Sequence, residues 1–145
     1  MSLLALAAAA LLLFIAALHA AWGFGATWPE RDAKSLARRV VGFPGIERMP
    51  RPASCFFVAS ALALTAILAL AAAGLAPTRL PLWLAQTALA GAAVVFGLRG
   101  LATYTDAWRA KAPEEPFATA DRRLYGPLCL ALSLALTIIV FGGSS

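Results

Sequence analysis

Apolar residues fall into four long runs separated by shorter polar segments. The runs cover residues 2–24, 53–75, 82–101 and 124–142, and Asp, Glu, Lys and Arg are absent from residues 1–29 and 52–78. Because a helix rises 1.5 Å per residue, about 20 apolar residues cross the roughly 30 Å hydrocarbon core of a bilayer. The pattern therefore predicts an all-α fold, a four-helix transmembrane bundle, with residues 1–145 forming a single transmembrane domain.

The first run has an alternative interpretation as a secretory signal peptide. No Lys or Arg precedes its apolar region, and it is longer than the roughly 7–15 residues of a signal-peptide core. We expect it to be retained as a membrane helix.

The segment between the first two runs has a helical period of its own. Ala33, Leu36, Ala37 and Val40 recur at spacings that place them on one face of a helix, with charged residues on the other faces. This pattern predicts a short amphipathic helix in the membrane interface.

Alanines recur at four-residue spacing in the second and third runs. The pairs are Ala59 and Ala63, Ala69 and Ala73, and Ala88 and Ala92. Small residues at this spacing let helices approach closely in lipid, so these pairs are predicted to face neighbouring helices.

Composition and charge agree with a membrane protein and add an orientation. Only 13% of residues are charged, against about 25% in soluble domains. Of the 12 Lys and Arg residues, all but Arg79 lie in residues 25–52 and 102–123 or at their membrane edge. The positive-inside rule then predicts that both segments are cytoplasmic and both termini periplasmic, in a bacterial inner membrane. It also explains the net charge of +5 without a nucleic-acid partner.

This orientation gathers the unusual polar and aromatic residues at the cytoplasmic end. The candidate ligand-binding residues are His19, Trp22, Trp28, Arg99, Asp121 and Tyr125. His19 would lie roughly 7 Å inside the end of its helix. Any pocket is expected to open toward the cytoplasm.

Each candidate also has a simpler interpretation. His19 suits a haem or copper ligand, a proton relay or a grip on an anionic head group, but equally an interfacial histidine bonded to a backbone carbonyl or to Asp121. Arg99 suits an ion pair with Asp106 or Asp121, or with a bound anion, but equally a side chain that extends to lipid phosphates. Trp22 and Trp28 suit an aromatic belt at the membrane surface.

The sequence motifs give little support for a metal site or for catalysis. Cys55 and Cys129 lie at similar predicted depth, and with His19 they would suit a soft metal, but buried inert thiols are the favoured interpretation. One histidine cannot supply both ligands of a bis-histidine haem, and no phosphate-binding loop, nucleophile elbow or zinc motif is present in the sequence. We therefore expect no metal and no cofactor.

Three motifs together resemble a family. They are His19-x-x-Trp22-Gly-x-Gly25-x-x-Trp28-Pro29, Val40-Val41-Gly42-x-x-Gly45-x-x-x-Met49-Pro50 and Phe117-Ala-x-x-Asp121-x-x-x-Tyr125-x-Pro127-Leu128-Cys129. The chain resembles a group of small bacterial four-span membrane proteins classed as a domain of unknown function. The resemblance implies a four-helix inner-membrane protein, and it implies no activity. It also points to His19, Trp22, Trp28, Arg99, Asp121, Tyr125 and Pro127.

Three classes of function follow. The favoured one is a non-catalytic accessory or assembly subunit of a larger membrane complex, whose partners are membrane lipids and other integral membrane subunits. The second is a binder or carrier of a small amphipathic ligand in a cytoplasm-facing pocket around His19. The third is a membrane enzyme that acts on a lipid or quinone-like substrate, with His19 and Asp121 as acid and base.

Overall fold

The structure, a computed structural model, describes residues 2–142, all of whose regular elements are helical. Residues 1 and 143–145, which the predicted single domain includes, lie outside the described part. Four helical segments are long and apolar enough to cross a membrane. The elements in chain order are α1 (Ser2–Gly23), α2 (Ala33–Val40), α3 (Pro52–Ala72), α4 (Leu82–Ala102), α5 (Asp106–Lys111), α6 (Phe117–Ala120), a π-helical turn (Asp121–Tyr125) and α7 (Gly126–Gly142). The all-α, four-span prediction is confirmed.

The four long helices pack as a closed bundle. The most extensive contacts join α1 to α3 and α4 to α7, while smaller ones join α3 to α4 and α1 to α7. Leu12, Leu89, Leu136 and Ile139 are fully buried where these helices meet. Alanines fill most of the remaining core positions, so the helices approach closely.

The small-residue prediction is correct for α3, whereas in α4 it is correct for Ala92 and wrong for Ala88. Ala59 and Ala69 are buried, as expected. The buried positions of α4 include Ala85, Leu89 and Ala93. Ala88 is exposed, and Ala92 is partly buried against the core. In an alanine-rich helix, four-residue spacing recurs on more than one face, so spacing alone does not select the face that packs.

The fourth span begins earlier than predicted. It starts at Phe117 rather than residue 124 and continues to Gly142. Within it, the backbone N–H of Gly126 bonds to the carbonyl of Asp121, five residues earlier. Pro127 follows this wider turn. In a regular helix its ring would press against the carbonyl four residues earlier, and a π-turn relieves such conflicts.

The predicted amphipathic helix is present as α2. Asp32 caps its start by accepting a hydrogen bond from the backbone N–H of Ser35 at 2.9 Å, and this bond lowers the pKa of the Asp32 carboxyl. Leu36 and Ala37 are fully buried, and α2 contacts α6. Protein therefore covers the central apolar stripe that the sequence suggested would meet lipid.

Candidate functional site

The candidate site is built around a buried ion pair between α4 and the π-turn. Arg99 Nη2 lies 2.6 Å from Asp121 Oδ1. Asp121 is only 3% exposed, and Arg99 is half-buried. A buried carboxylate needs a charged or hydrogen-bonded partner, so the two residues depend on each other.

Two further side chains complete this network. Trp108 of α5 donates from Nε1 to Asp121 Oδ2 at 2.9 Å, and the Arg99 guanidinium lies 4.8 Å from the centre of the Trp108 ring. Arg99 Nη1 donates to the hydroxyl of Thr103 at 2.7 Å. Both carboxylate oxygens of Asp121 therefore have donors, and the network ties α4, α5 and the π-turn together.

Close helix approach makes this network possible. A Cβ added to Gly100 would lie 2.7 Å from the Leu130 side chain and 3.0 Å from the Gly126 carbonyl oxygen. A Cβ added to Gly126 would lie 2.9 Å from Thr103. Any larger side chain at either position would push α4 away from the fourth span and lengthen the ion pair.

The two tryptophan candidates, Trp22 and Trp28, lie in a separate cluster at and beyond the end of α1. The rings of His19 and Trp22 are 4.9 Å apart, and Trp22 Nε1 donates to the backbone carbonyl of Trp28 at 2.8 Å. His19 donates from Nδ1 to the carbonyl of Ile15 at 2.9 Å. This geometry matches the backbone-carbonyl interpretation of the histidine.

Tyr125 connects the two polar segments of the chain. Its hydroxyl donates to the backbone carbonyl of Arg39 at 3.3 Å, and its ring lies 5.9 Å from that of Phe117. The backbone N–H of Glu114 also bonds to the carbonyl of Gly42 at 3.2 Å. These contacts hold residues 25–52 against residues 102–123.

The structure thus divides the predicted candidates. It brings Arg99 and Asp121 together, as one interpretation of Arg99 expected. It gives His19 no hydrogen bond or ion pair to Asp121 within residues 2–142. Among those residues, no group of three or more His, Cys, Asp or Glu side chains is placed to hold a metal ion, and Cys55 and Cys129 are both free thiols.

Sequence reasoning missed Trp108 and Thr103. Thr103, the C-cap of α4, follows Arg99 by four residues, and residues at that spacing are neighbours on a helix surface, so this signal was available. Trp108 lies on a helix of six residues whose placement depends on the Thr105 turn before it, and no periodic pattern marks it.

A pocket opens beside the network. Its volume is about 270 Å³, and its wall includes Trp108, Arg109, Glu115, Asp121 and Arg122. Glu115 directs both carboxylate oxygens to Thr119, accepting from its backbone N–H at 3.1 Å and its hydroxyl at 2.9 Å. Both acids of the wall therefore have partners within the protein.

Comparison with known proteins places the chain in a family. The model of DUF3995, described as a protein of unknown function, matches residues 11–136. The match covers most of the chain, which therefore belongs to this family, and the resemblance predicted from the three motifs is confirmed at that level. No curated protein and no solved structure matches the chain. The protein is a small polytopic membrane protein of this family.

Proposed function

We propose that the protein is a non-catalytic subunit of a larger membrane assembly. The observation that carries the proposal is a contrast between two surfaces. Arg99 and Asp121, the charged pair buried near the ends of two spans, satisfy each other within the chain, whereas an apolar groove along α4 and α7 is left open. A neighbouring transmembrane helix of another subunit is its proposed occupant.

The groove has a lining that suits helix packing in lipid. It has a volume of about 420 Å³ and runs past Ala90, Val94, Gly97, Leu98, Ser133 and Thr137. Ala90, Val94, Gly97 and Leu101, which also lines it, recur at helical spacing on one face of α4. Small residues such as Ala90 and Gly97 allow a second backbone to approach, which favours association between helices in a bilayer.

The hydroxyls of the groove are already satisfied. Ser133 donates to the carbonyl of Ala93 at 2.7 Å, and Thr137 donates to the carbonyl of Ser133 at 2.8 Å. The groove therefore presents a largely apolar surface with no demand for a polar ligand. This supports a transmembrane helix as the occupant rather than a polar small molecule.

The two alternative classes receive less support. An acid–base pair needs Asp121 free to exchange a proton, yet both its oxygens accept hydrogen bonds from Arg99 and Trp108. The predicted carrier pocket needs His19 and Arg99 in one wall, and each is bonded within a different cluster. The carrier and the enzyme remain predictions. A ligand found beside His19 would favour them over the subunit role.

Adjacent valines on α4 offer a matched test. Val94 lines the groove, whereas Val95 lies outside its lining, and the two are 60% and 66% exposed. Val94→Trp should reduce the assembled fraction roughly tenfold, because overpacking an interface costs about 1–3 kcal/mol. Val95→Trp should leave it within about twofold. Native mass spectrometry of particles extracted from the protein's own membrane measures both.

Three outcomes would overturn this proposal. One is a monomeric wild-type particle in native-like extraction. Another is equal loss of assembly in both variants, which would mean that the added bulk acts without regard to the groove. The third is an assembly that contains only copies of this chain, since the proposal commits to a different subunit.

We also propose the orientation that the charge distribution predicts, in a bacterial inner membrane with both termini periplasmic. Arg31 and Arg79 are exposed and lie in segments on opposite sides of the spans. In a background with Cys55 and Cys129 changed to alanine, a membrane-impermeant maleimide should label Arg79→Cys in intact spheroplasts. Arg31→Cys should react only after permeabilisation. The reverse pattern would overturn the orientation.

A further inference from the structure

We propose that the pocket of about 270 Å³ beside Asp121 binds the phosphate of an anionic phospholipid head group. Its volume is close to the lower end, about 300 Å³, of typical small-ligand pockets. The proposal concerns a different surface from the α4–α7 groove and does not depend on the proposed subunit role.

Two arginines of this pocket come from separate segments. Arg109 comes from the last turn of α5, and Arg122 from the π-turn. Both line the wall, and neither has an ion-pair partner within the described part of the chain, where Arg38, Arg39 and Arg99 all have one. Two arginines without ion-pair partners in one wall offer the planar donor groups that a phosphate anion prefers.

The acids of the wall do not cancel this positive charge. Asp121 is already paired with Arg99, so the pair contributes no net charge to the pocket. Glu115 is the other acid, and its oxygens are directed to Thr119. Arg109 and Arg122 together against Glu115 leave one net positive charge, which is the charge that a phosphodiester neutralises.

The walls are held in place before any ligand arrives. Trp108 is bonded to Asp121 and packs under Arg99. The Tyr104 hydroxyl donates to the backbone carbonyl of Arg122 at 3.2 Å, which fixes the turn that carries this arginine. A pre-formed wall lowers the ordering cost of binding.

The position of the pocket favours a lipid as the source of the phosphate. It lies where α4 ends and the fourth span begins, since Thr103 and Ala118 also line it. Leu124, which lies in the same π-turn as Arg122, is 57% exposed. An exposed leucine and an unpaired arginine in one turn at the start of a span provide both the apolar and the cationic contacts that an anionic lipid needs.

The experiment compares two double variants that remove the same charge. Arg109→Gln with Arg122→Gln removes the two unpaired positive charges that line the pocket. Arg48→Gln with Arg51→Gln removes two exposed arginines elsewhere in the polar segments. Full-length protein in detergent is titrated with phosphatidylglycerol, phosphatidylcholine or inorganic phosphate, and binding is read by native mass spectrometry. Thermal melting with each lipid gives a second readout, because a ligand that binds only the folded state raises the melting temperature.

The wild type should bind phosphatidylglycerol more tightly than phosphatidylcholine and should melt at a higher temperature in its presence. The pocket variant should lose about tenfold in affinity for phosphatidylglycerol together with the gain in melting temperature, while its melting temperature without lipid stays near that of the wild type. The control variant should keep both within about twofold. Equal losses in the two variants would overturn the site, since diffuse surface charge would then explain binding. Saturation by inorganic phosphate alone would overturn the lipid as its source.

Discussion

Replacing Asp121 with alanine should lower the free energy of unfolding by about 3 kcal/mol, the lower end of the range for a broken buried ion pair. Arg99 would keep its charge with no carboxylate beside it, and the Trp108 N–H would lose its acceptor. The lower end applies because the Arg99 side chain is 31% exposed and so can recover some hydration. Reversible unfolding in lipid–detergent micelles measures the change.

Asp106→Ala is the control for this prediction. Asp106 is exposed, and it has no ion pair within residues 2–142. Its loss removes only a favourable charge in the first turn of α5, which is worth about 0.3–1 kcal/mol. If the two variants lose the same stability, the Arg99–Asp121 pair does not hold α4 against the π-turn.

Gly42→Ala should be the most damaging substitution in the segment between α1 and α3. Gly42 has a φ of +71°, and an added Cβ would lie 2.1 Å from the ring of the buried Phe117. The backbone strain costs about 1–2 kcal/mol, and displacing a buried ring adds roughly 1–3 kcal/mol. We expect a total loss of about 3 kcal/mol in the same unfolding assay.

Gly45→Ala is the control that separates the cost of backbone strain from the cost of displacing the Phe117 ring. Its φ is +69°, nearly that of Gly42, but nothing lies within 4 Å of an added Cβ. Gly45→Ala should therefore show only the backbone cost of about 1–2 kcal/mol. Equal losses for Gly42→Ala and Gly45→Ala would mean that the contact with Phe117 carries no stability.

Much of the fold was predictable, because the physics of a bilayer constrains a sequence strongly. A lipid-spanning helix must satisfy the hydrogen bonds of every backbone group internally and present about 20 apolar residues. The four apolar runs meet this length requirement, so they predict the four spans directly. An arginine and an aspartate at the edges of such runs seldom stay unpaired, so the contact between Arg99 and Asp121 was among the expected alternatives.

The arrangement of the other candidates was harder to foresee. α1 is apolar on nearly every face, so its sequence contains little to fix how the helix is rotated about its axis. That rotation depends on packing against α3, and it decides whether His19 can reach Asp121. The contact between His19 and Trp22 follows instead from their three-residue spacing within α1. Trp108 escaped notice because short helices in polar segments are positioned by capping, here by the Thr105 hydroxyl, rather than by hydrophobic period.

The π-turn at Asp121–Tyr125 changes the helical-wheel positions of residues along the fourth span. One additional residue in a helical turn shifts everything before it by about 100° relative to everything after it. Phe117 and Asp121 thereby belong to one angular frame, and Leu132, Leu136 and Ile139 to another. A periodicity computed across the whole span averages two phases and blurs both faces, although each part is regular when taken alone.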